Sequence, residues 1–121
     1  MTLNHLGLVV RDIAESRDWY TSNLGLSLEF EVPERRFAAL EDDSGFGLLL
    51  SQGDVTPDPV SPIIYFEVRD VDELCRDLMA KGVRFDYPPR QTEWGYGPQL
   101  RDPDGYIVRF FDHRSVTEPA H

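Results

Sequence analysis

Residues 41–50 read EDDSGFGLLL and residues 101–110 read RDPDGYIVRF, two versions of one pattern 60 positions apart in which Asp42 and Gly45 recur as Asp102 and Gly105. A second echo lies nearer the start: VRDI at 10–13 returns as VRDV at 68–71, a displacement of 58. A repeat of this length marks one supersecondary unit written twice. In both copies of the longer pattern a turn rich in Asp and Gly feeds an apolar run, which is how a tight turn delivers a strand.

Working outward, each half has the same grammar. LNHLGLVV (3–10) and SPIIYFEV (61–68) are short β-rich runs, and each leads into Asp-x-x-Glu, Asp12 with Glu15 and Asp70 with Glu73. An N-cap carboxylate with an acidic residue three positions on opens a helix. Val71, Leu74, Cys75 and Leu78 then form an apolar stripe, and Lys81-Gly82 supplies its stop. Ile13, Trp19, Tyr20 and Leu24 make a less regular stripe before Gly25. Three strands follow in each half, over 26–32, 35–41 and 46–51, and over 83–87, 94–101 and 106–112. The expected organisation is βαβββ over residues 1–52, a proline-rich linker over 53–61, βαβββ over 62–113 and a tail over 114–121, together one α+β domain.

A chain of 121 residues can bury enough surface to fold without disulfides, and 40% hydrophobic with 12% aromatic residues is globular composition. No apolar run reaches the roughly 20 residues of a membrane helix. The opening MTLNHLGLVV has neither a basic n-region nor a small-residue cleavage site, so a cytoplasmic protein is expected. The single cysteine, Cys75, excludes a disulfide within the chain and a cysteine-based zinc cluster. A net charge of −10 opposes nucleic acid as a partner.

HLGLVVRDIAESRDWYTSNLGL (5–26) and DPDGYIVRFF (102–111) resemble the vicinal oxygen chelate superfamily, which includes glyoxalase I, extradiol dioxygenases, fosfomycin-resistance enzymes and bleomycin-binding proteins. The resemblance spans about residues 3 to 112. It implies two tandem βαβββ modules forming a curved, cleft-enclosing mixed sheet with the helices on its outer face, and a homodimer. One scaffold carries several chemistries in this superfamily, so activity must be argued from the site.

Alternation assigns the faces. With Leu6, Leu8 and Val10 under the first helix, His5 looks to the opposite, concave face. Likewise Ile64, Phe66 and Val68 leave Ile63, Tyr65 and Glu67 facing inward. Phe46, Leu48 and Leu50 match Tyr106, Val108 and Phe110 on the helix side, so Leu49 and Arg109 face the cleft. In the metal-dependent relatives four side chains on the first and last strands of the modules hold a divalent cation. The matching positions here are His5, Leu49, Ile63 and Arg109, with Arg109 where the closing motif usually has Glu. Leu and Ile have no donor atoms, and a guanidinium puts positive charge where the metal belongs. No cofactor is therefore expected; a divalent metal would need a displaced site, using Glu67 or His113 with His5.

Arg109 has two readings: a structural ion pair with Glu67, or a clamp for an anionic ligand group. Trp94 can form a pocket wall with Tyr65, Phe37 and Phe111, and Gln99 a hydrogen-bonding contact. The expected function is a metal-free, small-molecule binding protein that sequesters a drug or metabolite. The rivals are a metal-dependent lyase or dioxygenase with a displaced metal, an acid–base enzyme using His5, and a regulatory module whose cleft its own aromatics fill. No catalytic residue is assigned.

Overall fold

The computed structural model describes residues 1–55 and 61–112. The chain divides into two compact units, Met1–Pro57 and Asp58–His121. The first holds β1 (His5–Val10), α1 (Ile13–Leu24), β2 (Ser27–Val32), β3 (Phe37–Glu41) and β4 (Gly47–Gln52). The second holds β5 (Ile63–Val68), α2 (Val71–Ala80), β6 (Phe85–Thr92), β7 (Gly95–Arg101) and β8 (Ile107–Asp112). Each unit has its own four-stranded mixed sheet, ordered β1-β4-β3-β2 in one and β5-β8-β7-β6 in the other. The expected linker lies partly, and the tail and His113 wholly, outside the described residues. No helix among the described residues is long and apolar enough to cross a membrane.

The repeated residues make the same local structures. Asp12 and Asp70 each accept from the backbone N–H three residues on, at 3.1 Å, which satisfies one free amide of the starting helix. Asp42 Oδ1 accepts from the N–H groups of Ser44 and Phe46, and Asp102 Oδ1 from those of Asp104 and Tyr106, all at 2.9 Å. Gly45 and Gly105 complete these turns at φ 89° and 92°, a left-handed conformation that favours glycine. The aspartates of the repeat are thus turn formers.

A third shared device was not legible beforehand. The first amide of α1, Ile13 N–H, donates to Gln52 Oε1 at 3.1 Å, and the first amide of α2, Val71 N–H, donates to Asp112 Oδ2 at 3.2 Å. In both units the end of the last strand holds the start of the helix. This follows from the topology, because β1 runs parallel to β4, and β5 to β8, bringing both ends to the same edge.

In the first unit the core comprises Leu8, Val10, Tyr20, Leu26, Leu40, Leu48 and Leu50; in the second, Val71, Cys75 and Leu78 of α2 are buried with Ile64, Leu100, Val108 and Phe110. At roughly 1.5–3 kcal/mol per buried large apolar side chain, these rows are what offsets the entropy of ordering each unit. The expected stripe of α2 is present, whereas α1 buries only Ser16 and Tyr20 along its length, with Trp19 edge-on to Tyr20 at 4.9 Å.

Several boundaries differ from expectation. Pro33–Arg35 forms a 3₁₀ turn, and Arg36 follows at φ 50°, so β3 starts at Phe37 rather than at 35. β6 continues to Thr92 through Pro88 and Pro89. An edge strand tolerates prolines because one row of its amides pairs with nothing, and its register shifts between Phe85 and Arg90 absorb them. Phe46 and Tyr106 precede their strands, their N–H groups held in the turns by Asp42 and Asp102.

Candidate functional site

The face of the second sheet away from α2 carries one continuous row. Tyr65 pairs with Arg109, Arg109 with Gln99, and Gln99 with Tyr87, one residue from each of β5, β8, β7 and β6. Paired residues point to the same side of a sheet, so the row is a consequence of register and alternation. Arg109 Nε donates to Gln99 Oε1 at 2.9 Å, and Nη1 donates to the Tyr65 hydroxyl at 2.6 Å. Gln99 Nε2 donates in turn to Asp86 Oδ2 at 2.9 Å, which also accepts from Arg101 Nε at 3.0 Å. A guanidinium only donates and a carboxylate only accepts, so Gln99 has a single orientation that serves both neighbours.

The expected alternative of a Glu67–Arg109 ion pair does not form. Glu67 pairs in register with Phe111, two residues further along the strands. Within this unit no carboxylate among the described residues pairs with Arg109, whose partners are the neutral groups of Gln99 and Tyr65. Nη2 and the second proton of Nη1 are engaged with neither. Two rings flank the cation: its central carbon lies 5.5 Å from the Tyr65 centroid and 5.2 Å from that of Trp94, within cation–π range. Tyr65 and Trp94 meet edge to face at 5.7 Å and 74°.

Trp94 is placed by the β6–β7 hairpin. Its N–H donates to Thr92 Oγ1 at 3.3 Å, and the Thr92 hydroxyl donates to the Gly95 carbonyl. Its ring lies against Gly97, where an added Cβ would come within 3.0 Å of Cη2. Gly97, Asp86 and Tyr87 were not singled out from the sequence. Asp86 and Tyr87 follow from the register of β6, whose prolines obscured it.

The first unit presents the equivalent row in apolar form. Gly7 pairs with Leu49, and Leu49 with Ala39. By the displacements of the repeat these three correspond to Tyr65, Arg109 and Gln99. Phe37 lies on the same face, its ring 5.9 Å from that of Phe30. His5 pairs with Gly47, and its imidazole covers that glycine, where any side chain would collide with it. His5 Nδ1 hydrogen-bonds Asn4 Oδ1. The structure thus gathers Tyr65, Trp94 and Gln99 around Arg109, puts Ile63, Glu67 and Phe111 on the same face of that sheet, and sets His5, Leu49 and Phe37 on one face of the other unit.

The metal implied by resemblance does not fit these residues. Leu49 and Ile63 offer no donor atom, and the Arg109 guanidinium, already donating to Gln99 and Tyr65, repels a cation. Among the described residues no group of three His, Cys, Asp or Glu side chains is placed to hold a metal ion.

Similarity to known proteins follows the fold. The model of the Glyoxalase/Bleomycin resistance protein/Dioxygenase superfamily matches residues 2–110. The uncharacterized protein YraH of Bacillus subtilis (strain 168) is 26% identical, the match covering 92% of this chain and 98% of that protein. A possible glyoxalase from Bacillus cereus superposes with a TM-score of 0.78 at 24% identity, over 92% of this chain and 98% of the other. TnmS3, an antibiotic binding protein from Streptomyces sp. CB03234, superposes with a TM-score of 0.73 at 23% identity, over 93% and 95%.

Proposed function

The chain belongs to the Glyoxalase/Bleomycin resistance protein/Dioxygenase superfamily, and from that premise we propose that it is a small-molecule binding protein that works without a metal, sequestering a drug or metabolite. The observation that carries this reading is Arg109: at a position the metal-dependent relatives use for a ligand, it presents a guanidinium held by neutral partners and flanked by two rings. A cation with open donors beside aromatic surface is equipped to hold a guest and unequipped to hold a metal. The antibiotic binding protein of similar fold supports sequestration as a use of this scaffold. The expected homodimer and cytoplasmic location belong to the same proposal and rest on the family resemblance.

A second reading has one observation in its favour. With Nδ1 of His5 bonded to Asn4, Nε2 is the nitrogen free to exchange a proton with a bound substrate, as an acid–base enzyme requires. Metal analysis combined with native mass spectrometry of untreated protein tests the first reading. Retention of a small organic molecule by metal-poor protein is the expected result. About one equivalent of Fe, Mn, Ni or Zn per chain, lost in His5→Ala, overturns it.

A further inference from the structure

The row on the second sheet goes further than a generic ligand site. Resting on the binding reading above, we infer that its ligand is a singly charged carboxylate joined to a flat conjugated ring. The carboxylate accepts from Arg109 and the ring lies on Trp94 and Tyr65.

Three features of the row define that chemistry. First, Gln99 and Tyr65 take one proton each from Nε and Nη1, so the guanidinium is turned and held while Nη2 and the other Nη1 proton remain for an oxyanion. An arginine whose rotamer is already fixed binds with less loss of entropy than one that must be ordered by the ligand. Second, the surroundings admit one negative charge and disfavour two. Glu67 lies on the same strand and face as Tyr65, two positions on, Asp86 is one hydrogen bond beyond Gln99, and the whole chain carries −10. A phosphate dianion meets that field with twice the charge of a carboxylate, while presenting it to the same two donors. Third, the flanking surface is aromatic and fixed. Trp94 is seated on Gly97 and set against Tyr65, which is 44% exposed. Rings positioned in this way offer both a face and an edge to a flat guest.

In the first unit Gly7, Leu49 and Ala39 occupy the same register and supply neither donor nor ring. The selectivity thus belongs to substitutions on one copy of a duplicated scaffold.

Isothermal titration calorimetry with a matched series on the full chain tests the inference: 2-naphthoate, 2-naphthamide, decahydro-2-naphthoate and 2-naphthyl phosphate. The expected order places 2-naphthoate first, with the amide weaker by at least about tenfold, because it forfeits a charge-assisted pair. The saturated acid and the phosphate are each several-fold weaker. Arg109→Met abolishes the preference for naphthoate over naphthamide, Arg109→Lys keeps part of it, and Trp94→Leu removes the preference for the flat acid over the saturated one while leaving the charge preference. Circular dichroism verifies that each variant is folded; if Arg109→Met is not, the ligand series on the native chain and on Arg109→Lys decides. Equal affinity for naphthoate and naphthamide, or naphthoate binding unchanged in folded Arg109→Met, overturns the inference. If native mass spectrometry meanwhile shows a retained uncharged or cationic guest, the inference alone falls; if it shows none and the whole series is silent, the binding reading falls with it.

Discussion

Gly97→Ala adds one methyl group where the second sheet has no room for it. An ideal Cβ at this position lies 3.0 Å from Trp94 Cη2 and 3.1 Å from the Phe110 carbonyl carbon, and nearer still to the carbonyl oxygen. The tryptophan can swing aside. The carbonyl belongs to β8, which is paired on both sides, by β5 and by β7, and cannot retreat without breaking a ladder. Overpacking against side chains costs about 1–3 kcal/mol, and a backbone obstacle puts this case at the upper end. Alanine's lower chain entropy in the unfolded state returns about 0.5–1 kcal/mol. The net loss is therefore about 2–2.5 kcal/mol, a large part of the roughly 5–15 kcal/mol that holds an ordinary domain together. Urea unfolding followed by circular dichroism reads it as a midpoint lowered by about 1–2 M at unchanged slope. Gly7→Ala is the control: nothing lies within 4 Å of its added Cβ and its backbone is in a strand, so the same methyl is expected to stabilise by about 0.5 kcal/mol. A Gly97→Ala midpoint equal to that of the parent, or a Gly7→Ala loss of the same size, refutes the reasoning.

Further outcomes follow from the two helices. Burial, with the Asp72 charge adding to it, pushes the Cys75 thiol up to about 12, so the native protein is expected to resist a thiol reagent at pH 8 and to react fully once unfolded in urea. Because the folded value lies above the unfolded one, this group's contribution to stability is complete below about pH 8.5 and is lost as the pH rises towards about 12; Cys75→Ala flattens the alkaline limb of a stability–pH curve over that window. Asp112→Ala strips the buried amide of Val71 of its side-chain acceptor and is expected to cost about 1–3 kcal/mol in urea unfolding, more than Gln52→Ala, whose bond to Ile13 is only part-buried.

Sequence alone determined a good deal of this protein. The repeat of Asp42 and Gly45 as Asp102 and Gly105, and of Asp12 as Asp70, announced the turns and helix starts, because a capping or turn-forming aspartate acts on amides two to four residues away. Period-two alternation put Tyr65, Gln99 and Arg109 on one face, and the resemblance set Arg109 where the metal-dependent relatives usually have Glu. Tertiary structure decided what a side chain of known facing would touch. Arg109 had Glu67 as one expected partner and takes Gln99 and Tyr65 instead, because sheet register sets Tyr65 directly across from it and puts Glu67 two pairs further on. The same applies to Gly97 beneath Trp94, to Asp86 behind Gln99, and to Gln52 and Asp112 at the helix starts. Short-range patterns record which way a residue points, whereas its partners depend on how strands distant in sequence are aligned, and no local pattern encodes that alignment.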